Sequence, residues 1–287
     1  MHGGSLRRMT HVELHHGAAT DVGLVRQVNE DAFLADSPVF VVADGMGGHD
    51  RGDIASSFVV QEFSRLSPGS YDVERGTSVV DATFQTVQDR LLAYDAEQRA
   101  AGAGDTFAAG TTAVVALLVA ASDGPRWLLA NVGDSRIYRF TDGELEQISV
   151  DHSVVQELVD AGRLTPAAAA VHPSRNIITR ALGGAAMPSS VSGAADYFLL
   201  PLAAAERLVL CSDGVSGMVD DPGIAAILAR YDDPRDAADA LVAAAVAAGG
   251  HDNATAVVVD VVGLAHEDPY DPAAQRLSLE QKLGALP

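Results

Sequence analysis

One stretch limits what this chain can become. Val39-Phe40-Val41-Val42-Ala43 runs directly into Asp44-Gly45-Met46-Gly47-Gly48-His49. An apolar, mostly β-branched run of this kind reads as a buried strand that ends by presenting a carboxylate. The glycines behind it let the backbone turn tightly and come close to a bound group. The pattern returns far along the chain in Leu208-Val209-Leu210-Cys211-Ser212-Asp213-Gly214, and a third acid precedes a strand in Asp252-Asn253-Ala254-Thr255-Ala256-Val257-Val258-Val259. A single Asp-Gly after a strand is only a turn signal. Three aspartates at strand ends, from three distant segments, can meet at one sheet edge. Converging carboxylates repel unless a cation lies between them, so the expected content is a hard divalent metal held by oxygen ligands. Arg26-Gln27-Val28-Asn29-Glu30-Asp31, a little before Asp44, adds two acids and a guanidinium.

Composition narrows the classes. The 287 residues suit one large domain or two small ones, and 48% hydrophobic against 20% charged residues provides a core and excludes disorder over most of the length. The formal charge of −20 argues against nucleic acid, whose backbone needs a basic surface, and against an anionic membrane. Cys211 is the sole cysteine. It sits in an apolar run and reads as a buried thiol. A nucleophilic cysteine in a Cys-x5-Arg anion-binding loop needs an arginine six residues on, and here Gly217 stands in that place. No apolar stretch follows Arg7-Arg8, and the run from Ala113 to Ala121 is far short of the about 20 residues of a membrane helix. The chain is therefore expected to be soluble and cytoplasmic.

Periodicity organises the rest. His15–Val22 reads as a first strand, and residues 52–66 and 77–99 read as helices broken by Ser67-Pro68-Gly69. From Gly110 the period becomes strand-like. The runs 112–120, 127–132, 136–140 and 145–149 are joined by Asp-Gly turns into an antiparallel meander, with Asp134 in one connection. Residues 151–184 are the least regular part. Helices at 222–230 and 234–248 and a strand at 254–262 follow, and the tail from His266 reads as an extension.

Six motifs occur in one order: Arg26-x-x-Asn29-Glu30-Asp31, Asp44-Gly45-Met46-Gly47-Gly48-His49, Gly110-Thr111-Thr112, Asn131-Val132-Gly133-Asp134-Ser135-Arg136, Ser212-Asp213-Gly214 and Asp252-Asn253-x-Thr255. Over residues 15–262 the chain resembles the metal-dependent protein serine/threonine phosphatases (PPM, or type 2C) in their compact bacterial form. The resemblance implies an α+β fold, a four-layer α-β-β-α sandwich of two antiparallel sheets flanked by helix pairs. It implies a flexible start at 1–12, a catalytic domain at 13–263 with a flap insert near 151–184, and an extension at 264–287. The implied activity is hydrolysis of phosphoserine and phosphothreonine on proteins by a hydroxide bridging two Mn2+ or Mg2+ ions, in opposition to bacterial Ser/Thr kinases. The implied state is a monomer.

By position against those motifs, Asp44 bridges both metals and Asp213 and Asp252 complete the first site. Glu30 and the Gly45 carbonyl hold the second, with Asp31 direct or through water. Asp134, sharing Asp213, marks a third and weaker site. Arg26 grips the substrate phosphate, where a planar fork suits two oxygens. Asn253 is read as orienting Asp252 and the local backbone, and Thr111 and Thr112 as packing and hydrogen-bonding near the core. His49, His152, His172 and His251 are read as supporting or exposed groups. One departure stands out: Met46 occupies the place where several eukaryotic members carry a histidine proposed as general acid. The alternative reading is a catalytically silent domain of this fold that binds metal or a partner. Such domains lose metal aspartates, and every core acid is present here.

Overall fold

The computed structural model describes residues 10–46, 51–183 and 194–266. Gly47, Gly48 and His49, and the tail beyond His266, lie outside the described residues.

Strand β3 (Val39–Met46) shows how the layers arise. Side chains alternate along a strand, and here both faces are apolar. Val39, Val41 and Ala43 enter one core, Phe40 and Val42 another. A strand buried on both faces is covered by a further layer on each side; here one face packs on helices and the other on the facing sheet. Two antiparallel sheets face each other. The first runs β1 (Thr10–Asp21), β12 (Ala254–His266), β11 (Arg207–Cys211), β7 (Arg136–Thr141), β8 (Glu144–Gln147). The second runs β10 (Asp196–Pro201), β6 (Gly124–Val132), β5 (Ala113–Ala121), β3, β4 (Gly110–Thr111), β9 (Leu182–Gly183), with β2 (Asp31–Asp36) on the other edge of β3. Phe40, Val42, Trp127 and Leu129 of the second sheet meet Leu208, Leu210, Val257 and Val259 of the first in the central core.

Outside the second sheet lie α1 (Gly52–Phe63) and α2 (Val73–Ala100); outside the first lie α6 (Asp221–Arg230) and α7 (Pro234–Ala247). On α2 the buried Val80, Phe84, Val87 and Leu91 form the helical stripe. It starts earlier than the expected residue 77, because the Asp72 side chain caps it by accepting from the Arg75 N–H at 2.9 Å. Asp220 and Asp233 cap α6 and α7 in the same way, each with proline in the first turn. The expected helix 52–66 ends at Phe63 and tightens into a 3-10 turn over Ser64–Leu66.

The structure adds strands that periodicity did not reveal. β2 and β10 contain few β-branched residues, and each is a strand because its neighbour, β3 or β6, offers a ladder. β1 and β12 pair from Asp21↔Ala254 out to Thr10↔His266, so the outer pair reaches three residues past the expected domain limits at each end. The irregular segment carries two short helices, α3 (Val154–Asp160) and α4 (Pro166–Ala169), pinned at its base by a bridge between Ser153 and Ile178. Cys211 is fully buried on β11, and burial pushes its thiol up to about 12, which leaves it inert as a nucleophile. Among the described residues no helix is long and apolar enough to cross a membrane.

Candidate active site

The acids singled out above converge where the ends of both sheets meet. Asp31 and Asp44 stand directly opposite one another in the β2–β3 ladder. Asp44 is not the last residue of its strand. β3 changes partner beside it, pairing with β5 through Val42 and with β4 at Gly45 and Met46. The Thr112 hydroxyl accepts from the Asp44 N–H at 3.0 Å, and the Thr111 hydroxyl donates to the Asp44 carbonyl at 3.0 Å. Thr112 in turn meets Ser135, next to Asp134, at 2.7 Å. From the facing sheet come Asp213, first residue of the one-turn helix α5 (Asp213–Ser216), and Asp252, just before β12. The Ser212 hydroxyl donates to Asp31 at 2.7 Å and ties the two sheets together at this point.

Close backbone approach makes the arrangement possible. Gly45 donates its N–H to the Glu30 carbonyl at 3.1 Å, and a Cβ on it would lie 2.2 Å from the Gly52 carbonyl oxygen. At Gly214 a Cβ would lie 1.8 Å from the Asn253 carbonyl oxygen. Only glycine lets these turns meet.

The electrostatics follow from burial. Asp44 is held well above the usual carboxylate range, first by burial and then by Asp31, Asp213, Asp134 and Asp252. Burial lifts Asp31 to about 7 against the hydroxyls of Thr255 and Ser212, and lifts Asp134 to about 8, with Asp213 and Asp151 adding to it. Asp213 is raised by burial and by Asp252, and its carboxyl is in hydrogen-bonding contact with that of Asp44. Two carboxyls in such contact need a proton or a cation between them. Among the described residues no group of three or more His, Cys, Asp or Glu side chains is arranged to hold a metal ion. Protein donors take part of the set instead: Arg26 Nη2 donates to Asp252 at 2.7 Å and the Gly52 N–H to Glu30 at 3.1 Å. The fit to a cation shows elsewhere. Asp31 Oδ1 and Asp134 Oδ1 are buried with no hydrogen-bond partner, which is costly for a carboxylate oxygen unless a cation satisfies it. The donors are all oxygen, which suits Mg2+ or Mn2+ rather than zinc.

Comparison with known proteins now bears on this geometry. Residues 25–248 match the family profile of Protein phosphatase 2C. The chain belongs to the protein phosphatase 2C family. Over 253 residues it is 38% identical to the serine/threonine protein phosphatase PstP of Mycobacterium tuberculosis, covering 87% of this chain and 45% of PstP. It thus spans about half the length of that relative. The serine/threonine phosphatase stp of Listeria monocytogenes is 33% identical over 257 residues, covering 86% of this chain and 96% of stp. The crystal structure of the PstP catalytic domain in complex with two manganese ions superposes with a TM-score of 0.74 at 34% identity, covering 89% of this chain and all of that one.

Three supporting groups of this phosphatase 2C chain were not assigned these contacts from sequence. Ser212 was read only as part of a motif, but it bridges Asp31 and the Thr255 N–H. Asn253 reaches beyond Asp252 and its local backbone to a distant segment. Its Nδ2 donates to the carbonyls of Val22 and Val28, both at 3.0 Å, and its Oδ1 accepts from the Glu30 N–H at 2.8 Å. One amide thereby holds closed the loop that carries Arg26 and Glu30. Asn253→Ala is expected to cost about 1–3 kcal/mol in a denaturant melt, the scale of stranding buried polar groups. It should also weaken metal binding, which calorimetry checks. His152, buried against the Asp134 turn, accepts from the Gly133 N–H through Nδ1 at 3.1 Å. Its proton therefore sits on Nε2, facing Asp196 at 3.1 Å. Burial holds this imidazole low and neutral. Its backbone also bonds Gly133 and Thr179, so it links the Asp134 turn to the irregular segment. No periodicity or motif spacing announces such a link. His172 accepts from the Ser174 N–H, and His251 is exposed.

Proposed function

We propose that this chain hydrolyses phosphoserine and phosphothreonine on proteins, with two Mn2+ or Mg2+ ions, in opposition to a protein Ser/Thr kinase. The observation that carries this reading is the buried acid cluster with two carboxylate oxygens, on Asp31 and Asp134, lacking any protein partner. Asp44, Asp213 and Asp252 would hold one cation, and Glu30, Asp44 and the Gly45 carbonyl the other. Asp31 supports the second position, and Asp134 with Asp213 a third. Bound there, divalent cations lower the pKa of water toward neutrality and neutralise phosphoryl charge. The manganese pair belongs to the PstP crystal structure; its transfer to this chain rests on the all-oxygen donor set.

The chain's own residues position the reaction. Thr111 and Thr112 fix the backbone of Asp44, and Ser212 fixes Asp31. Arg26 stands half exposed on a loop held by Asn253, with its guanidinium on Asp252. An arriving phosphate competes with Asp252 for that planar fork. Met46 is placed in the β3–β4 pair opposite Gly110 and brings no titratable group to the leaving oxygen.

The test is phosphate release from a phosphothreonine peptide. Release is expected with Mn2+, and none after chelation with EDTA. A thermal melt should show a higher Tm with Mn2+, since a ligand at 100 times its Kd stabilises the native state by about 2.7 kcal/mol. Metal binding without release would move the assignment to the silent regulatory domain.

A further inference from the structure

Beside the acids, and unused by the chemistry above, lies a groove of about 430 Å3 between the end of β1 and α7. Ala19, Ala243 and Val246 make it apolar, and Asp21 and Asp239 bring two carboxylates to it. It reaches the acid cluster through Thr20, which also lines it. The Thr20 hydroxyl accepts from Asn29 Nδ2 at 2.8 Å and meets the Thr255 hydroxyl at 2.7 Å, and Asn29 accepts from the Asp31 N–H.

The loop between groove and acids is firmly held. Leu24 N–H donates to the Gly250 carbonyl at 2.7 Å, Gly23 N–H to Asp21 at 2.7 Å, and Asn253 secures Val22 and Val28. Yet this loop exposes Leu24, Val25 and Val28 by 70%, 62% and 57%. They are large apolar side chains on both sides of Arg26 in sequence. A well-ordered loop that keeps three such groups in water forgoes their burial, and contiguous exposed apolar surface marks a site of interaction.

We propose that this loop and groove seat the flank of a phosphoprotein substrate, and that the favoured flank carries one apolar and one basic side chain. The proposal rests on the phosphatase reading and names its substrate class. Leu24, Val25 and Val28 lie within two residues of Arg26, the group given to the phosphate, so residues next to a bound phosphate pass near them. Asp21 and Asp239 complement a basic side chain, and a chain of net charge −20 repels an acidic flank. The same charge disfavours a second copy of this chain as the occupant.

The experiment compares two phosphothreonine peptides, one flanked by Leu and Arg and one by Gly and Asp, on the Mn2+-loaded protein, with p-nitrophenyl phosphate as a substrate that has no flank. Variants Leu24→Asp, Asp239→Lys and Ala243→Trp alter exposed positions, so each is expected to fold. The wild type should favour the Leu/Arg peptide by about tenfold or more in kcat/KM, the scale of one or two side-chain contacts. The variants should lose that preference through KM while hydrolysing p-nitrophenyl phosphate within about twofold of wild type. Equal turnover of both peptides by the wild type, or a preference that survives all three variants, overturns the proposal. So does a changed sedimentation coefficient for Ala243→Trp with peptide kinetics unaltered, which would assign the groove to a second copy. If the wild type fails on p-nitrophenyl phosphate as well, the phosphatase reading itself falls and this inference falls with it.

Discussion

Replacing Asp44 by Asn is expected to cut metal-dependent phosphate release by about a hundred- to a thousandfold, the scale lost when one group that stabilises transition-state charge is removed, while the chain stays folded. Asn keeps the shape of the side chain and its hydrogen bond toward Asp213. It removes the charge that would bridge the two cations. The stability change has the opposite sign. Asp44 is raised well above the ordinary carboxylate value by burial and four neighbouring acids. The native state therefore binds more protons than the unfolded chain at pH values between the unfolded and folded pKa. Native stability falls as pH rises through that window and stays reduced above it. Without metal, Asp44→Asn escapes this loss, so at neutral pH the variant should melt above the wild type, by roughly 2–4 °C per kcal/mol relieved. The gap should close near pH 4, where the unfolded acid is protonated too. With Mn2+ the order should reverse, because the variant gains less from the ligand. Calorimetric scans across pH, with and without Mn2+, check all three statements. A variant that unfolds without metal would show that Asp44 is structural rather than a charge held for a cation.

The second large effect is expected at a residue with no side chain. Gly214→Ala places a Cβ 1.8 Å from the Asn253 carbonyl oxygen, a separation no real Cβ adopts. The collision is backbone against backbone, so no rotamer relieves it. Either α5 or the turn before β12 must move. These segments carry Asp213 and Asp252, which the proposal gives to one cation, and a displacement of about 1 Å near a reacting centre costs on the order of a hundredfold in rate. Strain of this kind also lies in the destabilising tail of single substitutions, at about 4 kcal/mol or more. Gly217→Ala, three positions on, is the comparison, since its Cβ would meet the Asp213 carbonyl oxygen at 2.8 Å and a smaller shift suffices. Urea melts and Mn2+ titrations of the two variants should rank Gly214→Ala far below Gly217→Ala; equal behaviour would rule out the close approach as the reason for glycine.

The layer order follows from the family resemblance rather than from the residue pattern alone. The apolar run of β3 reads only as a buried strand; that Val39 and Val41 enter one core and Phe40 and Val42 another is a tertiary fact. The helical spacing of Val79, Val80, Thr83, Val87, Leu91 and Leu92 reads as one helix face; Val80, Thr83, Val87 and Leu91 are buried on it together with Phe84, while Leu92 is exposed. What failed was local. β2 escaped notice because Asp31-Ala32-Phe33-Leu34-Ala35-Asp36 has little strand propensity, and its ladder with β3 is a tertiary fact. That omission mattered, because the ladder is what sets Asp31 opposite Asp44.

The sequence by itself determined which groups are available: an all-oxygen set of acids, one guanidinium, glycines where turns are tight, and a single thiol too apolar in setting to react. Side-chain type and local period are properties of neighbouring residues, so they can be read along the chain. Only the tertiary structure decided which acid faces which, which carboxylate oxygens are left without partners, and that one amide, Asn253, closes the loop bearing Arg26. The Asn253 contacts join segments more than two hundred residues apart, as with Val22 and Asn253, and even the Asp31–Asp44 pairing rests on a ladder between two strands. They depend on burial and on the meeting of two sheets, for which a linear pattern carries no signal.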